Sequence, residues 1–197
     1  MISAYSQACE NNKTPILARL EQEFKHSKKV LEIGSGTGQH AVHFAQNLPH
    51  VTWQTSDLAV NHPTIIARVQ QANLKSLLPP LTLDLEATWP LISVDAIFTA
   101  NTLHIVSEAL VGKFFAGVNQ HLDANGTLCI YGPFNYQGQF TSVSNGEFDR
   151  WLKSRDSHSG IRDIEFILQH ATKAHLVLSA DHAMPANNRL LVFKKAI

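Results

Sequence analysis

Short apolar runs alternate with stretches patterned at helical spacing along most of the chain. Thr14-Pro15 ahead of ILARLEQEF reads as a helix start, with proline in the first turn. Val30-Leu31-Glu32-Ile33 is a brief buried strand, followed by a glycine turn and a helix over 39–46. The pattern continues with strands at 51–55, 81–83 and 94–99 and a helix over 61–75. Residues 108–121 return to helical spacing, Asn125-Gly126 is a turn, and 127–131 is a fifth strand.

Strands alternating with helices imply βαβ units, a parallel sheet and right-handed crossovers. The C-terminal end breaks the rule. Two strand-like runs, 174–179 and 189–193, enclose DHAMPANN. A link of about ten residues is too short for a helical crossover, so the two pair antiparallel. The expected fold is therefore a Rossmann-like α/β domain over 1–197. Its mostly parallel seven-stranded sheet ends in an antiparallel hairpin, and residues 133–163 form an insertion before that hairpin.

Composition narrows the function. The 197 residues suit one sizeable core. Sixteen basic and sixteen acidic side chains leave no net charge, whereas a nucleic-acid binder carries a basic excess. Nucleic acid and membrane are therefore not expected as partners; a small molecule is. Only Cys9 and Cys129 are present, which fits a reducing compartment better than a disulfide scaffold. The N-terminus lacks a signal-peptide pattern, and no run reaches the roughly 18 apolar residues of a membrane span. The expected location is the cytoplasm.

The chemistry signal is Glu32-Ile33-Gly34-Ser35-Gly36-Thr37-Gly38. Glycines let a backbone turn tightly and approach a ligand. This turn lies at the carboxyl edge of the sheet, where open α/β folds bind ligands, and the helix start adds amide donors. An acid, a spacer and glycines at Gly34, Gly36 and Gly38 match an S-adenosylmethionine loop. Gly36, Gly38 and Ala41 also fit the looser dinucleotide pattern, and Asp57 after strand two holds ribose hydroxyls in either case. Glu32, placed for the methionyl ammonium, favours S-adenosylmethionine. So do the terminal hairpin and Asp84-Leu85 after strand three, placed for the adenine amino group and ring. Against these stand plainer roles: Glu32 pairing with a lysine, Asp84 capping a helix.

Most of the chain resembles the methyltransferase-like protein 26 family, a domain-of-unknown-function group among the class I methyltransferases. The resemblance rests on ENNKTPIL, LEIGSGTGQHAVHFA, VTWQTSDL, NTLHIV, YGPFNYQGQFTSVSN, FDRWLKSRDSHSGIRD and MPANN. Asn11 departs from it, standing where the family often has arginine. The resemblance implies the class I fold, S-adenosylmethionine and methyl transfer. By position it assigns Glu32, Gly34, Ser35, Gly36 and Gly38 to the methionine side of the cofactor, and Asp57 with Leu58 to the ribose side. Asp84 and Leu85 fall to the adenine, and Asn101, Leu103 and His104 to the reactive end. Asn12, in the first block, would meet the methionyl carboxylate under an N-terminal lid, with Lys13 beside it; its other role is to cap the first helix. A binding module without turnover and a nicotinamide enzyme are the alternatives.

The acceptor pocket belongs over strands four and five. His104 is the candidate base or orienting group there, or else a structural histidine; Tyr131 ends strand five beside it. Phe134, Tyr136 and Phe140 either wall the pocket or fill core. Ser144 to Glu147 has the capping-box pattern of a short helix, with Phe148, Trp151 and Leu152 on its core face. Asp149, Arg150, Arg155, Asp156, Arg162 and Asp163 are dense for a chain only 16% charged. Arg155 and Arg162 either bind an acceptor's anionic group or belong to an ion-pair network. His40 and His43 lie one helical turn apart without a third ligand, so no metal is expected.

Overall fold

The computed structural model describes residues 5–90 and 92–196; the extreme ends of the expected 1–197 domain, and Leu91, lie outside the described residues. The first helix, α1 (Gln7–Glu23), starts a full two turns before Thr14. Ser6 caps it, its side chain accepting from the Cys9 N–H. Pro15 therefore sits inside the helix, where it cannot donate to the carbonyl of the exposed Asn11. Asn12 is an interior, buried position and not a cap, which corrects that alternative.

The chain then follows β1 (Lys29–Ile33), α2 (Gln39–Asn47), β2 (Thr52–Asp57), α3 (His62–Ala72), β3 (Leu77–Thr82), β4 (Val94–Ala100), α4 (Glu108–His121) and β5 (Leu122–Gly132). A two-stranded ribbon, β6 (Phe134–Asn135) with β7 (Arg162–Asp163), flanks α5 (Val143–Arg155). After α6 (Ile164–Lys173), β8 (Leu176–Met184) and β9 (Asn188–Lys195) complete the sheet. Its order is β3-β2-β1-β4-β5-β9-β8, parallel through β5, with β9 antiparallel to both neighbours. This is the expected Rossmann-like methyltransferase fold, hairpin included.

Three local differences have plain causes. Strand β3 carries Pro79 and Pro80, tolerated because β3 is an edge strand. Helix α3 stops at Asn73, whose left-handed φ of 49° ends it before Lys75. The hairpin turn is tighter than expected, since Ala186 and Asn187 are both left-handed.

Successive strand residues feed opposite cores, as a sheet covered on both faces requires. Leu31, Ile97, Leu128 and Leu191 pack with Phe114, Phe115 and Ile167 under α4 and α6. Val30, Phe98, Cys129 and Leu190 pack with Phe24, Phe44 and Trp53 under α1 and α2. No helix among the described residues is long and apolar enough to cross a membrane. The switch in strand order falls between β1 and β4, and a crevice opens there at the carboxyl ends of the strands.

Candidate active site

A cavity of about 970 Å3 occupies that crevice. One end is the glycine loop. Gly34, Gly36 and Gly38 have φ of 74°, 57° and 74°. A Cβ on Gly34 would stand 3.0 Å from Thr102 Oγ1, so glycine is required there by conformation and by space. Gly34, Ser35, Gly36 and Thr37 line the cavity. Gly38 does not: it is the cap position ahead of α2, and a side chain there would abut Ile65 and Arg68, so its role is to pack α2 on α3.

Asp57, at the end of β2, clamps this loop. Its Oδ2 accepts from the Gly36 N–H at 2.6 Å, and its Oδ1 from the Leu58 N–H and Asn61 Nδ2, each at 2.7 Å. Asp57 and Asn61 both reach the cavity wall. Leu58 is instead half-exposed beyond it, its backbone serving Asp57.

Glu32 lies beneath the loop, not on the wall. It is 2% exposed, and its Oε2 accepts from Ser35 Oγ at 2.8 Å and Trp53 Nε1 at 3.2 Å. Burial pushes its carboxyl up to about 7, against the two hydrogen bonds and with a further push from the Asp57 charge. The residue placed for a methionyl ammonium thus supports Ser35 from below.

Helix α1 roofs the loop end, with Ser6, Cys9, Asn11 and Asn12 facing the cavity. Gln39, the first residue of α2, fastens the helix start: its Oε1 accepts from the Ser6 N–H and its Nε2 donates to Glu10 Oε1, both at 2.6 Å. Glu10 also holds Lys13 in an ion pair, so Lys13 has its counter-charge within α1. Behind Asn12, His40 Nε2 meets Asn12 Oδ1 at 2.6 Å. Burial lowers His40 to about 4, with His43 adding to the effect, so its ring is neutral near pH 7. An amide oxygen only accepts, so Nε2 carries the proton. The Asn12 amide N–H groups take no part in that bond.

The far end is built from four segments. His104, Ile105 and Val106 follow β4; Tyr131 lies near the end of β5 and Pro133 just beyond it; Asn145, Phe148 and Trp151 come from α5; Pro185 and Asn188 come from the hairpin. Asn101, with a left-handed φ of 57°, lies between the two ends, its N–H bonded to the Tyr131 carbonyl. His104 is buried, and burial followed by the Arg162 charge lowers it to about 4. Its Nδ1 is 3.5 Å from where a Gly132 Cβ would be, and its ring meets Phe148 edge-on at 5.3 Å. Burial raises the Tyr131 hydroxyl, while Asn12 and Asn188 beside it favour the ionised oxygen.

The structure therefore brings Asn12, Gly34, Ser35, Gly36, Asp57, Asn101, His104 and Tyr131 to one cavity. It takes other expected residues elsewhere. Asp84 accepts from the Glu86 N–H in a turn, and Leu85 packs on the core. Leu103 and Phe134 are core side chains. Tyr136 donates to Asp181 Oδ2 at 2.7 Å and lies under Arg189, tying the ribbon to the hairpin. Arg155 covers the Trp151 ring at 4.8 Å from its centre. Arg162 is a buried strut: Nε donates to the Leu103 carbonyl at 3.2 Å and Nη2 to the His158 and Val106 carbonyls. It also borders a second cleft of about 870 Å3, with Glu108 and Phe140, which lacks the glycine loop and the strand ends.

Trp151 departs from the core reading of α5: it is 50% exposed and lines the cavity mouth, while Leu152 is buried. The helix is capped by Ser142, two residues before Ser144. His40, Asn145 and Asn188 are wall residues that the sequence pattern does not single out for the cavity. Their signal was in the blocks GQHAV, SVSN and MPANN, whose polar residues no core explains.

Solved structures share the fold at low identity. An O-methyltransferase family 2 protein from Planctomyces limnophilus, in complex with apigenin, superposes with a TM-score of 0.84 at 15% identity, over 96% of this chain and 58% of that one. An O-methyltransferase family protein from Burkholderia thailandensis gives 0.82 at 14%, over 93% and 56%. Human N-acetylserotonin methyltransferase, in complex with S-adenosylmethionine, gives 0.81 at 12%, over 97% and 53%. The chain thus spans little more than half the length of each. In sequence, a family described as protein of unknown function (DUF938) matches residues 3–195, and by that nearly complete match the chain belongs to the DUF938 family.

Proposed function

We propose that this chain is an S-adenosylmethionine-dependent O-methyltransferase for a small acceptor. The observation that carries the reading is a single cavity with a glycine loop clamped by Asp57 at one end and a neutral, buried His104 at the other. The residues fit the cofactor. Bare Gly34 and Gly36 leave room for its methionine part, Asp57 and Asn61 offer polar groups to the ribose, and the Asn12 amide offers a donor to the carboxylate. The group supplies a methyl carried on a sulfonium.

The chain's own tasks are alignment, exclusion of water and management of one proton. Helix α1 closes the loop end, and Phe148, Trp151, Ile105 and Val106 give the other end apolar walls. His104, neutral near pH 7, is ready to accept a hydroxyl proton as the methyl arrives. The similar folds point the same way, one of them holding S-adenosylmethionine and another apigenin. The blocks that resemble the methyltransferase-like protein 26 family fall on the same walls. The cavity size, the zero net charge and the two free cysteines support a small-molecule acceptor in the cytoplasm, with no nucleic-acid partner.

Isothermal titration tests the cofactor. S-adenosylhomocysteine should bind and NAD should not; the reverse pattern rejects the proposal. Transfer of label from methyl-labelled S-adenosylmethionine into small molecules of a cell extract tests turnover. Binding without any transfer leaves a binding module.

A further inference from the structure

The far end of the cavity has a polarity that narrows its occupant, on the footing of the methyl-transfer reading. No lysine or arginine lines the cavity among the described residues, and Asp57, its one carboxylate, stands at the glycine-loop end. A carboxylate, phosphate or ammonium at the far end would be desolvated with no oppositely charged wall residue to pair with. The apolar surface there is Phe148 and Trp151, stacked with ring centres 5.7 Å apart and planes at 17°, together with Ile105, Val106, Pro133 and Pro185. That surface suits a flat, uncharged body.

Hydrogen-bond accounting then fixes two groups. The His104 ring nitrogens hydrogen-bond to none of the described residues, and a neutral imidazole has one nitrogen free to accept. Tyr131 is the opposite. His40 occupies the Asn12 oxygen, so the Asn12 amide has its N–H groups to present, and the Tyr131 hydroxyl donates to none of the described residues. The tyrosine's own proton is left to point into the cavity. The two groups flank one strand end, since His104 sits over Gly132, the residue after Tyr131.

We propose that the acceptor is a neutral, planar compound whose acidic, phenol-like hydroxyl stands beside a second oxygen, with His104 taking the hydroxyl proton and Tyr131 donating to the neighbouring oxygen. The acidity follows from the flat, aromatic-walled end, which takes a hydroxyl carried on a planar ring. An imidazole so weakly basic suits a hydroxyl titrating near ~10, as a phenol does, and not one near the ~15.7 of water. In the step, the sulfur–methyl bond breaks and the oxygen–methyl bond forms. The sulfur keeps the bonding pair and becomes a neutral thioether, and the hydroxyl proton moves to His104, which later releases it to water.

The test uses the full chain with S-adenosylmethionine and four probes. They are catechol, its 1,4-isomer hydroquinone, trans-cyclohexane-1,2-diol and 2-hydroxybenzoate. Catechol should be methylated roughly tenfold faster than hydroquinone, as one hydrogen bond of ordinary strength implies, and the diol and the benzoate should be inert. Tyr131→Phe should remove the preference by slowing catechol alone, and His104→Gln should stop turnover of both. Equal rates for the two isomers, turnover of the diol or benzoate, or a preference that survives Tyr131→Phe would overturn the proposal. Titration with S-adenosylhomocysteine runs alongside. Binding without methylation of catechol rejects this acceptor and leaves the cofactor reading standing; no binding rejects the methyltransferase reading itself.

Discussion

His40 Nε2 and Asn12 Oδ1 stand 2.6 Å apart, a bond between the helix that follows the glycine loop and the helix that roofs it. It joins positions 28 apart in sequence and fixes the depth at which α1 lies over the strand ends. Asn12→Ala would leave a buried imidazole N–H without a partner, at a cost of about 1–3 kcal/mol. Amide exchange over residues 7–13 should accelerate in this variant. In the unaltered protein, S-adenosylhomocysteine should slow exchange over the same residues. Protection of the Gly34–Gly38 loop with no change over 7–13 counts against α1 as a cover for the cofactor.

Asp57 joins loop order to ligand binding. Its carboxylate holds two backbone N–H groups and one side-chain amide. Asp57→Ala should weaken S-adenosylhomocysteine binding by roughly 1.5–3 kcal/mol, the range for hydrogen bonds to a charged group. The loop loses its clamp as well, so the thermal midpoint should fall. An affinity within experimental error of wild type, measured by titration, removes Asp57 from the site.

Much of this was legible in the sequence because it follows from periodicity and glycine. Apolar runs such as LCIY are buried on both faces, and a run of that kind has few alternatives to a central strand. The glycine loop was legible because left-handed backbone at three alternate positions leaves few other choices of residue. Polar residues were harder. The pattern places ENNK ahead of a helix, yet it is helical because Gln39 and His40, far along the chain, satisfy its polar groups. Arg155 and Arg162 carry the same charge, but one covers an indole and the other is consumed by carbonyls. Those fates depend on which loop folds back, a matter of tertiary structure that local pattern does not encode.

Glu32 gives a pH signature in stability. Its folded carboxyl is raised to about 7 from the ordinary 4.5. Between these values the folded protein binds more protons than the unfolded chain, so stability falls as pH rises through that window and levels off above it. The size implied is about 3 kcal/mol. Glu32→Gln keeps an oxygen for Ser35 and Trp53 and cannot ionise. Its stability relative to wild type should therefore improve between pH 5 and pH 8 in urea unfolding. A difference that stays constant with pH would show that the Glu32 carboxyl does not titrate in this range.

Catalysis by His104 should carry its own pH mark. Burial and the Arg162 charge hold the imidazole near 4, so its accepting form is complete well below neutrality. With methyl transfer rate-limiting, kcat/KM should show no histidine limb near pH 6.5 and should fall only toward the acid end. An inflection near 6.5 that disappears in His104→Gln would place the base in a wetter setting than this one.

Two arginines of the insertion should separate stability from surface. Arg162 is 7% exposed and donates to the carbonyls of Leu103, Val106 and His158, so it fastens the segment after β4 to the segment before β7. Arg162→Ala strands three carbonyl acceptors at once, and a buried acceptor left unsatisfied costs about 1–3 kcal/mol. Because His104 lies in the fastened segment, turnover should fall even where the variant remains folded, while affinity for S-adenosylhomocysteine at the loop end changes little. Arg155 is exposed and lies against Trp151. Arg155→Ala should shift stability by no more than about 0.5–1 kcal/mol, the scale of an exposed cation–π contact. Thermal unfolding and titration on the two variants check both statements. If Arg162→Ala unfolds at the wild-type temperature and loses only acceptor binding, Arg162 belongs to the acceptor site and not to the frame that supports it.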